Sequence, residues 1–240
     1  MSRRTLKILH LYPREMNLYG DHGNVLTLMR RCKWRGIEAE VVVYEPGGKL
    51  PHGVDIVFGG GGQDSGQSTI QNDLLKIGPD LNKLVESDTP TLVICGLYQV
   101  FGKFFKTIGG ETINGIGVFD METFGGAERL IGNITCSSAE FGEIVGYENH
   151  SGQTFLGKGV QPLAKVIRGA GNNGQDGTEG ARYKNAIGSY LHGPVLPKNP
   201  KLADFLIAKA LQNKYDDDTL SPLDDSAEQL AHESSASRPR

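Results

Sequence analysis

Cysteine is scarce. Three residues, Cys32, Cys95 and Cys136, lie far apart in 240 positions with no CxxC pair, which excludes a disulfide scaffold and a thiolate zinc cluster. Excess positive charge is missing as well: 25 basic against 28 acidic residues leave a net −3, so the chain lacks the basic footprint that phosphate backbones or anionic membranes select. No apolar run approaches the length of a membrane span. At the start, MSRRTLKILHLY has two arginines but only a short apolar stretch, broken by Lys7 and His10 and followed by no small-residue cleavage site, which predicts no leader. The glycine block FGGGGQD, Phe58 to Asp64, has no GK[ST] after it and does not follow GxGxxG spacing, so Walker-type and dinucleotide binding are disfavoured. His10, His22, His52 and His232 have no acidic or cysteine partner at ligand spacing, and neither a metal nor a cofactor is expected. A reducing, cytoplasmic setting fits these absences.

What is present alternates between strand and helix patterns. Thr5 to Tyr12 reads as a first strand, and Asp21 to Arg35 as a helix with Val25, Leu26, Leu28, Met29 and Cys32 at helical spacing before Gly36. Ile37 to Tyr44, Val54 to Phe58 and Thr91 to Ile94 are β-branched or wholly apolar runs, and Gln67 to Ser87 has helical spacing. Buried apolar strands alternating with helices predict an α/β fold: a mainly parallel, doubly wound sheet with helices on both faces. Between Gly115 and Asn149 the pattern shifts to shorter, more polar segments, expected to add antiparallel strands to that sheet, with Cys136 in one of them. Asn185 to Leu191 is a late strand and Pro200 to Lys214 a closing helix. Beyond Tyr215 the chain turns acidic and serine-rich. Residues 1–215 are therefore read as one domain, and 216–240 as a weakly ordered or partner-docking tail.

Cys95 directly follows the strand TLVI and precedes Gly96 and the helical run LYQVFGKFF. A strand-to-helix turn lifts a nucleophile to the carboxyl end of a sheet, where helix N–H groups point at it and favour the thiolate. Packing as a small hydrophobe is the plainer fate of a lone cysteine. His192, in AIGSYLHGP, emerges at a strand end that can share the rim with Cys95, where an imidazole can serve as base and then acid; by itself it reads equally as a strand cap. Glu148 and His150, in YENHSGQT, form a rival acid–base pair or simply a turn. The glycine-rich stretch Gly169 to Arg182 is read as a surface loop rather than a lid.

Five segments in order, IVFGGGGQD, TLVICGLYQ, ERLIGN, YENHSGQT and IGSYLHGPVLPKNP, resemble the cobyric-acid-synthase type of class I glutamine amidotransferases over about the first 200 residues. The resemblance implies a glutaminase in which Cys95 is the nucleophile and His192 the catalytic histidine. It also implies that Arg129 grips the glutamine α-carboxylate, that Gln99 bonds the substrate, and that the N–H groups of Gly61 and Leu97 hold the oxyanion. Within that family the set is most similar to subunits that feed ammonia to a MurT-like, Mur-ligase-type ATP-dependent synthetase acting on D-glutamate of the lipid II stem peptide. Two positions depart from the family pattern. Pro194 stands where many members carry an orienting glutamate, and Leu97 where a glycine is common. The first departure predicts an orienting carboxylate donated by the partner subunit. The open alternatives are a cobyrinate-type or other small carboxylate acceptor, and a catalytically silent docking module.

Overall fold

The computed structural model describes residues 4–240; Met1 to Arg3, and so the first of the two arginines noted above, lie outside the described residues. In chain order the elements run β1 Thr5–Leu11, α1 His22–Trp34, β2 Glu38–Tyr44, β3 Ile56–Gly59, α2 Asp64–Glu86, β4 Thr91–Ile94, α3 Gly96–Phe101, β5 Phe104–Lys106 and β6 Thr112–Asn114. They continue with β7 Met121–Ser138, β8 Gly142–Leu156, β9 Ala164–Arg168, β10 Thr178–Glu179, β11 Ala181–Tyr183, β12 Ala186–Ser189, β13 Leu191–His192, α4 Pro200–Tyr215 and α5 Ser226–Ser237.

The first sheet has the order β11-β12-β4-β3-β1-β2 and is parallel except for β11. All residues of β3, β4 and β12 are buried. Strands covered on both faces leave no room for a polar alternation, hence the wholly apolar TLVI. Register brings Gly59 beside Val93 and Ser189 beside Ile94, so these three strands end together. The segments that follow them, Gly60 to Gly62, Cys95 and Tyr190, therefore crowd one rim, where open α/β sheets bind ligands.

The later strands differ from the expected arrangement. They do not extend the parallel sheet but build a second one around the long β7–β8 hairpin, with β9, β10, β5 and β6 beyond β7 and β13 on β8. The late strand read as one piece splits at Tyr190: β12 belongs to the first sheet and β13 to the second. Gly102 ends α3, so Phe104 and Phe105, read as helix, lie in β5 and pair with β6 and β7 instead. In the other direction, α2 starts at Asp64, ahead of the apolar spacing that announced it.

The acidic, serine-rich segment after Tyr215 is fastened along its length. Buried Arg31 of α1 donates to Asp204 of α4 and to Asp225. His232 of α5 takes Lys198 O at 2.8 Å and Arg168 donates to Ala236 O. At its end Arg240 meets Glu148 at 2.9 Å. Among the described residues no helix is long and apolar enough to cross a membrane.

Candidate active site

Cys95 sits between β4 and α3 with φ 47° and ψ −102°, a left-handed backbone that costs a non-glycine residue on the order of 1–3 kcal/mol and recurs where a nucleophile is held out of a sheet. Its N–H donates to Ser189 O at 2.8 Å, which ties the turn to β12. The chain can pass this closely because Gly96 has no side chain: a Cβ there would lie 2.7 Å from Gly62 N and 2.9 Å from Gly62 O. The thiol residue is 6% exposed.

His192 is buried opposite. A Cβ on Gly61 would fall 2.7 Å from His192 Cε1, 3.1 Å from Cys95 Cβ and 3.1 Å from Asp21 Oδ2. One glycine is therefore flanked by thiol residue, ring and carboxylate. Nδ1 of His192 lies 3.3 Å from Asp21 Oδ1 and 3.2 Å from Oδ2, long for a charge-assisted bond. Asp21 also accepts the Gly61 N–H at 2.7 Å, and its side chain is fully buried. Burial pulls the ring's pKa down, but Cys95 and the Asp21 carboxylate together outweigh it and hold the pKa above the ordinary histidine value. Apart from the Cys95 thiol, Nε2 has no hydrogen-bond partner among the described residues. With a carboxylate fixing Nδ1, Nε2 is the nitrogen left to exchange protons at the thiol.

A cavity of about 350 Å³ opens beside Cys95, lined by Gly62, Gln99, Arg129, Asn149, His150 and Ser151 among others. That volume suits a small metabolite rather than a macromolecule. Arg129, exposed on β7, donates from Nε to Asn149 Oδ1, and Asn149 donates onward to Tyr19 OH at 2.7 Å. The Tyr19 ring in turn stands edge-on to His192 at 4.9 Å. The cation is thus steered at the mouth of the cavity. A model of the CobB/CobQ-like glutamine amidotransferase domain matches residues 7–200. The chain belongs to that family.

Two GatD subunits of lipid II isoglutaminyl synthase (glutamine-hydrolyzing) are similar to this CobB/CobQ-like amidotransferase over most of its length. The Staphylococcus aureus protein is 42% identical over 87% of this chain and 86% of its own. The Streptococcus pneumoniae protein is 39% identical over 90% and 85% respectively. A crystal structure of glutamine amidotransferase superposes with a TM-score of 0.60, covering 84% of this chain and 98% of that one at 18% identity. At that identity the likeness carries the fold.

The remaining sequence expectations for this amidotransferase divide. Cys95, Gln99 and Arg129 share one cavity, and His192 faces the thiol from the side. Gln99 is not an exposed helix position: buried, it accepts from Gln67 Nε2 at 2.7 Å and donates to Tyr190 OH at 3.1 Å. Leu97, also buried, lies in the first turn of α3, where N–H groups have no acceptor within the helix. Gly61 corrects the expectation placed on it. Its N–H is committed to Asp21, and a hydrogen bonded to a buried carboxylate is not free for an oxyanion. Gly62, not Gly61, lines the cavity.

Within the chain, the carboxylate that meets the His192 ring is that of Asp21. Sequence reasoning missed it because Asp21 looks like an ordinary helix N-cap before α1; in the structure it makes no capping bond. The rival pair does not form. Glu148 accepts from the N–H groups of Ala170 and Gly171. His150 stacks on Tyr190 at 3.5 Å with Nδ1 on Gly152 O, and burial pushes its pKa down to about 4.

Proposed function

We propose that this chain is the glutamine-hydrolysing subunit of a two-subunit lipid II isoglutaminyl synthase. The observation that carries the reading is the fully buried Asp21 carboxylate against His192, with Cys95 held on a strained turn at the other side of the ring. In the proposed cycle the Cys95 thiolate adds to the side-chain carbonyl carbon of glutamine, and the electron pair moves to the oxygen. The N–H of Leu97 at the start of α3, with that of Gly62, receives the oxyanion. His192 gives its Nε2 proton to the departing nitrogen, and the carbon–nitrogen bond breaks to release ammonia and leave a thioester. The same nitrogen then takes a proton from water, whose oxygen displaces the thiol and yields glutamate. Arg129 holds the α-carboxylate, for which a planar guanidinium is suited. Gln99 fixes the wall of the cavity through Tyr190.

The acceptor is assigned from relatives that bear the synthase's name. Ammonia passes to a MurT-like, Mur-ligase-type subunit that uses ATP to amidate D-glutamate of the lipid II stem peptide to D-isoglutamine, in peptidoglycan synthesis on the cytoplasmic side. No organic cofactor or metal is needed by the hydrolytic cycle as written. The test is glutamate and ammonia release by wild type and Cys95→Ala, alone and with the synthetase subunit. A glutamine-analogue adduct located by mass spectrometry accompanies it. Turnover that survives Cys95→Ala, or an adduct on another residue, overturns the reading; amidation of a cobyrinate-type acid and not of the stem peptide overturns the acceptor alone.

A further inference from the structure

Glu179 is 1% exposed and lies outside the cavity and outside the cycle above. A carboxylate this deep is expensive to keep unless it satisfies groups that nothing else reaches. Its Oε1 accepts the Ser189 hydroxyl at 2.7 Å and the Tyr190 N–H at 2.9 Å, while Oε2 has no hydrogen-bond partner among the described residues. Ser189 Oγ in turn accepts the Leu191 N–H at 3.0 Å. These are the residues at which the chain leaves β12 in one sheet and enters β13 in the other, so neither ladder supplies acceptors for the bend. Ser189 O holds the Cys95 N–H, and His192 follows three residues later. One carboxylate oxygen therefore governs the backbone between the anchor of the thiol residue and the imidazole.

We propose that Glu179 is a positioning residue for the Cys95–His192 pair, setting through Ser189 and Tyr190 the bend that carries the ring to the thiol. The titratable groups coupled to it are Tyr98 of α3, Cys136 of β7, Glu148 of β8 and Tyr190 itself, none of them cationic. What the bend requires is an acceptor, not a charge, so glutamine can replace glutamate and alanine cannot. The kinetic part of this inference rests on the glutaminase reading.

The experiment uses the full chain with its synthetase subunit and compares wild type, Glu179→Ala, Glu179→Gln and Ser189→Ala. Glutamine kcat and KM are measured per active site counted by a diazo-ketone glutamine analogue. The pH dependence of Cys95 alkylation by iodoacetamide is recorded on the same proteins, with Cys95→Ala as the blank. For Glu179→Ala, kcat is expected to fall about 10- to 100-fold with KM within about threefold, the scale of a displaced catalytic group. Its alkylation profile shifts as the ring leaves the thiol. Glu179→Gln returns both to near wild type. Wild-type kcat and an unshifted profile in Glu179→Ala, or a Glu179→Gln as slow as the alanine variant, overturn the proposal. Should Glu179→Ala fail to fold, Ser189→Ala removes only the hydroxyl link; it is expected to lower kcat and shift the profile the same way, and wild-type behaviour in both overturns the proposal. A wild type without Cys95-dependent turnover sinks the glutaminase reading, and the alkylation profiles still judge Glu179.

Discussion

Asp21 shows what a single carboxylate does when it is both buried and shared. It gives one oxygen to the Gly61 N–H and both to the His192 edge, so it places the ring and favours its protonated form. Asp21→Asn keeps the shape and removes the charge; the pKa of His192 then falls, because one of the two groups that raise it against burial is lost and Cys95 alone remains. Glutamine turnover is expected to drop about 10²-fold or more, and the alkaline limb of the pH–rate profile to move to lower pH. An unchanged limb would show that the ring is oriented by something else. Arg129 stands at the cavity mouth with only its Nε engaged by Asn149 among the bonds described. Arg129→Lys keeps the charge and loses the planar fork, so KM for glutamine is expected to rise about 10-fold or more with kcat changed far less. Steady-state kinetics on glutamine against a substrate lacking the α-carboxylate separates the two effects.

At the scale of elements, α1 and α4 are locked to the acidic segment by Arg31, which is 1% exposed between carboxylates that remain partly in water. Arg31→Met leaves Asp204 and Asp225 facing an apolar side chain; a loss of about 2–3 kcal/mol is expected from urea unfolding, less than a fully buried pair would lose. Proteolysis ahead of α5 should begin before the parallel sheet is attacked. The same segment explains what the sequence could not reveal. Its ties are made one residue at a time, by Arg31, His232, Arg168 and Arg240, and no periodicity announces such contacts. By contrast β4 and the Cys95 turn were legible, because a strand buried on both faces must be apolar and the close approach to Gly62 after it demands a glycine at 96. His192 was legible through the late strand that leads to it. Asp21 lies 171 positions away from its partner and carries no local signature. The second sheet was hidden for another reason: short polar alternation specifies strands without specifying which sheet they join.

For the molecule as a whole, the interior carboxylates make stability depend on pH in an uncommon direction. Burial pushes the Glu179 carboxyl up to about 7. A group whose pKa is higher folded than unfolded contributes stability that is fully present below its unfolded value, near 4.5, and lost as pH rises through the folded one. Glu179→Gln abolishes that loss. Its melting temperature relative to wild type is therefore expected to climb between pH 5 and pH 8, toward a gain of about 3 kcal/mol at most; a difference independent of pH would contradict the assignment of the titration to Glu179. The crossing at Tyr190 has a mechanical consequence. Because Cys95 rides on one sheet and His192 on the other, a slight tilt between the sheets changes the gap across which the proton must jump. Because β13 pairs with β8 and the β7–β8 hairpin also carries Arg129 and Asn149 into the cavity wall, any shift of that hairpin would reach the thiol and the ring together as a change of distance.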